Sequence, residues 1–150
     1  MCITSQIDDC EQEWTFDDNS LDFVHLRLLN GSIKDWDALF KQAYRCLKPG
    51  GWIESVETSP FVFSEDGSVD DKSALSQWGK IFQAGGSKIG RSWTVVEDGV
   101  QERGMETAGF KKVQSETRKV STTPADDGTP SSPTCGHLNN GFVKRIKIIC

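Results

Sequence analysis

The chain has 150 residues, with 17 Lys and Arg against 22 Asp and Glu, so its formal net charge at pH 7 is −5. This length predicts one domain with a single modest core, and the acidic balance disfavours general nucleic-acid binding, which needs basic side chains against phosphates. No apolar run approaches the roughly 20 residues that cross a bilayer and the start lacks a secretory pattern, so we expect no membrane partner and a cytoplasmic or nuclear protein that is not secreted.

The first predicted elements are a strand and a helix. Residues 21–29 contain a nearly continuous apolar run, which is typical of a strand buried on both faces. Apolar side chains then recur at helical spacing over residues 36–47. Ser32 or Asp35 is placed to cap this helix at its start.

The end of this helix is also marked in the sequence. Arg45 and Lys48 lie near the negative end of its dipole. Pro49 cannot continue the helix, and Gly50-Gly51 permit a tight reversal of the chain. Residues 52–57 have the pattern of a second strand, so this part of the chain predicts a βαβ unit.

Two more helices and a strand are predicted after this unit. Asp70-Asp71 are placed to open a helix, and Gly85-Gly86 to close it. Thr94 is placed to cap a second helix, which ends at Ala108-Gly109. Residues 110–120 then have the pattern of a strand.

The composition of the chain changes after residue 120. Residues 121–133 contain three prolines and many Ser and Thr residues, which predicts a disordered linker. Residues 141–150 are basic and β-prone, so they are either a strand or an exposed tail. We therefore divide the chain into a domain at 1–120 and a disordered or atypical tail at 121–150.

Cysteine and histidine positions give no indication of a metal site. The five cysteines include no Cys-x-x-Cys pair, and His25 and His137 are far from any paired cysteines in the sequence. An odd and scattered set of cysteines is also unlike a secreted disulfide framework. We expect no bound metal.

Three segments carry a resemblance to a known family. Asp17-Asp18-Asn19-Ser20-Leu21-Asp22-Phe23-Val24-His25, followed by the helix-to-strand segment with Lys48-Pro49-Gly50-Gly51, resembles class I S-adenosylmethionine-dependent methyltransferases. The upstream segment at 7–16, Ile-Asp-Asp-Cys-Glu-Gln-Glu-Trp-Thr-Phe, makes the chain similar to the fungal LaeA-type methyltransferases of secondary metabolism. The resemblance covers about residues 8–120.

This resemblance implies an α/β fold, namely a partial Rossmann-like methyltransferase sheet with flanking helices. Residues 22–28, 52–57 and 110–120 correspond to the family's fourth, fifth and sixth strands, and Ile7-Asp8-Asp9 to the end of its third strand. In such sheets the ligand lies across the carboxyl ends of the strands.

The resemblance also implies that the cofactor S-adenosylmethionine contacts the residues after the third strand. Asp9 would accept a hydrogen bond from the adenine amino group, and the backbone N–H of Cys10 would meet a ring nitrogen, with Glu11 beside them. A carboxylate is acceptor-only and therefore matches an amino group. The residues alone leave an alternative, in which Asp9, Glu11 and Glu13 belong to a solvated acidic loop.

Three residues are expected on the substrate side, where a small-molecule acceptor would bind. His25 is a candidate base for a nucleophile that carries a proton, and Arg27 and Glu57 are candidates for contact with the acceptor. The alternatives are that His25 is a hydrogen-bonded structural residue and that Glu57 is a surface carboxylate at a strand end.

The sequence departs from the family at its start. Family members begin with a strand and a glycine-rich turn that approaches the cofactor, and no such motif precedes Asp8. We therefore expect an N-terminally truncated methyltransferase-like protein of fungal secondary metabolism that binds its cofactor weakly or not at all. Because the strand at 22–28 would lie on an open sheet edge, the alternatives are a non-catalytic interaction or regulatory module with a protein partner at that edge, or a truncated gene product.

Overall fold

The computed structural model describes residues 8–64, 69–121 and 139–149. In these residues four strands form one sheet in the order β1-β2-β4-β3. β1 and β2 are parallel, and β4 is antiparallel to both of its neighbours. In chain order the elements are β1 (Leu21–Arg27), α1 (Trp36–Cys46), β2 (Leu47–Thr58), α2 (Ala74–Ile89), α3 (Val100–Ala108), β3 (Lys111–Ser121) and β4 (Asn139–Ile149).

The predicted βαβ unit is confirmed in β1, α1 and β2. The Asp35 side chain accepts a hydrogen bond from Ala38 N at 2.9 Å, so Asp35 is the N-cap of α1. The apolar side of α1 is buried as its spacing predicts, at Trp36, Leu39, Phe40, Ala43 and Cys46.

The predicted reversal at the glycines forms an irregular start to β2. Leu21 pairs with Leu47, whereas Phe23 pairs with Trp52, so β2 advances by five residues while β1 advances by two. The extra residues loop out of the ladder. Gly50 lies in this loop with a φ of +83°, a backbone conformation that favours glycine.

The core lies between one face of the sheet and the helices α1 and α3. Ile53, Ile146 and Ile148 are fully buried on this face, together with Phe40 of α1 and Met105 of α3. The opposite face of the sheet is exposed at Phe23 and Trp52, by 54% and 45%. We call this second surface the open face.

The end of the described chain contains a strand. Of the two alternatives for residues 141–150, the structure has the strand: β4 lies between β2 and β3, and its buried isoleucines belong to the core. Residues 139–149, which the sequence analysis placed in the segment at 121–150, are thus the fourth strand of the sheet. Residues 122–138, which include most of the predicted linker, lie outside the described residues.

α2 extends beyond its predicted end. Ser73 caps its start, and the helix continues through Gly85-Gly86 until Gly90 adopts a φ of +70°. Gly86 serves packing, since a Cβ there would lie 2.5 Å from the Trp93 ring. The loop after α2 leaves no room for a side chain at position 86, so this glycine is required for packing and does not mark the end of the helix.

Candidate functional site

The acidic residues at 8–18 form a loop beside α1, and Asp8 and Asp9 are not in a strand. Glu11 joins this loop to the start of α1, because one carboxylate oxygen accepts from Lys34 N at 2.6 Å. The other oxygen is 2.9 Å from the Arg91 guanidinium. The hydrogen bond from Arg91 is the main cause of the lowered pKa of Glu11.

A second arginine holds the other end of this loop. Arg45, in the last turn of α1, donates to the carbonyl oxygens of Trp14 and Phe16 at 3.0 and 3.1 Å. It also pairs with the Asp18 carboxylate at 2.6 Å. This hydrogen bond with Asp18 is the main cause of the raised pKa of Arg45.

The same loop lines an open cavity of about 180 Å³ at its surface. Trp14 Nε1 donates to the carbonyl oxygen of Cys10 at 3.0 Å, and Asp9 Oδ1 accepts from Glu11 N at 3.0 Å. The rings of Trp14 and Phe16 meet edge-on, with centroids 6.3 Å apart. The cavity is lined by Asp8, Asp9, Cys10, Trp14 and Phe16.

The chemistry of this cavity suits a planar ring that carries an amino group. Asp9 supplies a carboxylate acceptor, and Trp14 and Phe16 supply aromatic surface. The volume is below the usual 300–1,000 Å³ of a small-molecule site, so the cavity matches one ring system better than an entire cofactor. Burial raises the pKa of the Cys10 thiol, which keeps it protonated and disfavours a role as a nucleophile.

His25 and Arg27 lie on the open face, away from this cavity's lining. His25 Nδ1 is 2.9 Å from Glu54 Oε2, on the neighbouring strand β2. The other Glu54 oxygen is 3.2 Å from the Arg145 guanidinium and 3.3 Å from the Lys147 ammonium, both on β4. Burial opposes ionisation of Glu54, but Lys147, Arg145 and His25 outweigh it and lower its pKa.

Arg27 is one row further along the same face. The register places it beside Val56, which in turn pairs with Arg145. The structure therefore brings His25 and Arg27 to one surface, where cationic side chains cluster around a single buried carboxylate.

Glu57 lies on the opposite face of the sheet and is fully buried. Its carboxylate accepts from Leu29 N at 2.9 and 3.0 Å and from Asn30 N at 3.1 Å. Burial raises its pKa, and the two backbone donors oppose that shift. Glu57 is thus not an exposed carboxylate at a strand end, which was the alternative left open by the sequence. It lies on the other face of the sheet from His25 and Arg27. Its hydrogen bonds fix the chain at the carboxyl end of β1.

Sequence reasoning did not assign four residues that shape these surfaces. Trp14 and Phe16 were visible only as aromatic residues in a polar segment, since their pairing with Asp9 and Cys10 depends on the loop. Glu54 lies two positions after Trp52 in a strand, so the two share one face of the sheet. This spacing does not reveal which cationic side chains contact Glu54. The fourth is Arg45, whose predicted role was limited to the helix dipole.

Neither a metal centre nor a membrane span is found in the described parts of the chain. No three His, Cys, Asp or Glu side chains there are grouped so as to hold a metal ion. No helix in these segments has the length and apolar character needed to cross a bilayer.

Comparison with known proteins identifies related sequences. A family model described as "Methyltransferase domain" matches residues 3–115. The "Methyltransferase pytC" of Aspergillus terreus is 34% identical over 144 residues, which cover 94% of this chain and 43% of the relative. The "Methyltransferase cpsF" of Aspergillus campestris is 35% identical over 79% of this chain and 41% of the relative. The "Secondary metabolism regulator laeA" of Aspergillus niger is 39% identical over 47% of this chain and 18% of the relative.

These relatives are longer than the present chain, which spans less than half of their length. Solved structures agree on the fold. A SAM-dependent methyltransferase from Archaeoglobus fulgidus matches with a TM-score of 0.58 at 15% identity, over 97% of this chain and 66% of that one. The phosphoethanolamine N-methyltransferase 2 of Haemonchus contortus, in complex with S-adenosyl-L-methionine, matches with a TM-score of 0.56 at 19% identity, over 94% of this chain and 35% of that one.

Proposed function

Because the chain belongs to the methyltransferase domain family, we propose that it supplies the adenine-binding loop and later strands of an S-adenosylmethionine-dependent methyltransferase. The methyl acceptor is a small molecule of fungal secondary metabolism. The fungal sources of the relatives, and the name of one as a secondary metabolism regulator, support the setting in fungal secondary metabolism. The reaction moves a methyl group from the cofactor's sulfonium to a nucleophile on the acceptor.

The cavity beside Asp9 carries this proposal. The Asp9 carboxylate is a suitable acceptor for the adenine amino group, the Cys10 backbone is adjacent to it, and Trp14 and Phe16 offer aromatic surface to the ring. Glu11 is engaged with Arg91 and Lys34, so it supports the loop and need not touch the cofactor.

The cavity matches one end of the cofactor. Residues 1–8 contain no glycine, so the family's glycine-rich turn has no counterpart in them. Such a turn brings the backbone close to the remainder of the ligand. We therefore infer that this chain holds the adenine end and that its affinity for the whole cofactor is weak.

Ligand-observed NMR and calorimetry test this function. Adenosine and S-adenosylmethionine are expected to show saturation transfer at the adenine protons, and Asp9→Asn is expected to weaken it. Asp17→Asn, an exposed aspartate in the same segment that does not line the cavity, is the matched control. No contact with adenine protons would contradict the cavity's assignment, and micromolar calorimetric affinity for the whole cofactor would contradict the inferred weakness.

On the substrate side we propose His25 as the general base for acceptors whose nucleophile carries a proton. If Nδ1 donates to Glu54, Nε2 is left as the proton acceptor. Arg27 would contact a polar group of the same acceptor. His25→Gln is expected to lower the rate of methyl transfer to acceptors whose nucleophile carries a proton, whereas Arg27→Gln is expected to raise KM for the acceptor. An unchanged rate in His25→Gln would contradict the role of His25 as a base.

A second candidate function is a non-catalytic interaction module. Within the described residues β1 has a single ladder neighbour, β2, and such an edge can accept a strand from another chain. A complex of this kind should survive Asp9→Asn and His25→Gln but be lost with Leu26→Pro.

Imaging of a tagged chain tests its proposed cytoplasmic or nuclear location.

A further inference from the structure

We propose that Arg45 is a positioning residue for the adenine cavity, with its guanidinium fixing the two aromatic walls formed by Trp14 and Phe16. This inference rests on the proposed function. Arg45 does not line the cavity itself, so its effect on a ligand passes through the backbone of the two aromatic residues.

The contacts of Arg45 have the geometry that such a role requires. Its Nη1 donates to the Phe16 carbonyl at 3.1 Å, and its Nη2 donates to the Trp14 carbonyl at 3.0 Å. A guanidinium presents several donors in one rigid plane, so it can hold two separate carbonyls at once. A single side chain therefore holds the backbone of both walls at once.

Arg45 is itself held at a fixed position. Gln42 Oε1 accepts from its Nε at 3.2 Å and from its Nη2 at 3.0 Å, and Asp18 Oδ1 accepts from its Nη1 at 2.6 Å. Its backbone belongs to α1, whose neighbouring residues Ala43 and Cys46 are fully buried. Through Arg45 the walls of the cavity are tied to the core.

The loop contains no helix or strand, so side-chain contacts contribute to the position of its walls. Besides the Arg45 bonds, these contacts include the bond from Trp14 Nε1 to the Cys10 carbonyl, the edge-on contact of the two rings, and a weaker bond from Cys46 Sγ to the Phe16 carbonyl at 3.6 Å. Loss of the guanidinium would leave two carbonyls without their principal donor. The loop would remain attached, but the two rings would be held less firmly relative to each other.

The test compares Arg45→Lys with two controls by titration with adenosine, followed by ligand-observed NMR. Lysine keeps the positive charge and can still pair with Asp18, but its compact ammonium cannot reproduce the planar fork, so we expect the dissociation constant to rise about tenfold. Asp18→Asn removes the ion pair and leaves both carbonyl bonds, so less than about a twofold change is expected. Arg103→Lys, an exposed arginine of α3, should change nothing.

Gln42→Met provides a second, milder variant, because it leaves Arg45 in place and removes its lateral support. It should weaken adenosine binding in the same direction with a smaller change. Urea unfolding of each variant gives the separate readout: a merely structural role would shift the unfolding midpoint and leave the adenosine affinity of the folded protein unchanged. That result, or equal affinity in all variants, overturns the role of Arg45 alone. Absence of adenosine binding to the unmutated chain overturns the proposed function as well.

Discussion

Glu57 illustrates how one buried carboxylate organises the carboxyl end of two strands. It stands near the end of β2, yet it accepts hydrogen bonds from Leu29 N and Asn30 N, which lie two and three residues beyond the end of β1. Leu28, between them and the strand, has a φ of +55°. The carboxylate thus compensates a backbone conformation that is unfavourable for a leucine.

The raised pKa of Glu57 predicts how stability depends on pH. Below the ordinary glutamate pKa of about 4.3 both folded and unfolded states hold the proton. As the pH rises above it, the unfolded state releases the proton first, so the contribution of Glu57 to the free energy of unfolding falls until the raised pKa is passed. In urea unfolding from pH 4 to 8, the free energy of unfolding of the wild type minus that of Glu57→Gln should show this fall.

Glu106→Gln is the matched control for this experiment, since Glu106 is exposed on α3. A change of slope in Glu106→Gln as large as that in Glu57→Gln would contradict the assignment to Glu57. Glu54 and Glu11 have lowered pKa values, so their contribution to the free energy of unfolding is lost as the pH falls through those values. This contribution is present in both proteins and cancels when the Glu57→Gln profile is subtracted from that of the wild type. A difference profile without slope would contradict the assignment to Glu57.

Alanine substitutions at two glycines distinguish the cost of a strained backbone from the cost of a steric clash. Gly31 has a φ of +69°, and a Cβ on it would lie 2.1 Å from the Trp93 ring, whereas Gly50 has a φ of +83° and nothing within 4 Å. Gly50→Ala should cost about 1–2 kcal/mol, from the left-handed conformation alone. Gly31→Ala adds overpacking of about 1–3 kcal/mol. Thermal unfolding should rank Gly31→Ala as clearly less stable, and equal losses would show that Trp93 moves aside freely.

At the level of elements, the sequence predicts those parts whose determinants are local. α1 has its cap, its apolar side and its terminating proline and glycines within 20 residues, and the prediction for it is confirmed. The end of α2 was mispredicted because Gly86 is selected by a neighbour, Trp93, that sequence spacing does not reveal. Local glycine propensity is overridden there by tertiary packing.

The contact between α1 and α3 gives a prediction that contrasts two helix-interior glycines. A Cβ at Gly104 of α3 would lie 2.6 Å from the ring of Phe40, which is fully buried. Gly104→Ala should therefore destabilise the protein by about 1–3 kcal/mol. Gly85→Ala in α2 meets nothing within 4 Å and should stabilise it by about 0.5–1 kcal/mol, through helix propensity. Chemical denaturation with a circular dichroism readout measures both, and effects of the same sign would refute this picture of the helix contact.

For the whole molecule, the sequence does not predict which strands pair when they are far apart in the chain. The position of β4 between β2 and β3 joins segments that are far apart in the chain, and composition after residue 120 suggested a tail. The candidate site shows the same division. Asp9 and Cys10 came from a contiguous resemblance, whereas the Arg45 anchor and the His25–Glu54 contact depend on the register and on helix docking.

The placement of β4 predicts that the chain does not fold without it. Removing residues 122–150 would separate β2 from β3 and uncover the core around Ile53, because Ile146 and Ile148 supply buried side chains there. The fragment 1–121 should therefore lose cooperative unfolding, measured by circular dichroism against urea. A synthetic peptide of residues 139–150 added in trans should restore part of the signal, and the same peptide with Ile148→Asp should not, because a charge would enter the core. A fragment 1–121 that unfolds as cooperatively as the whole chain would instead support a domain that ends at residue 120.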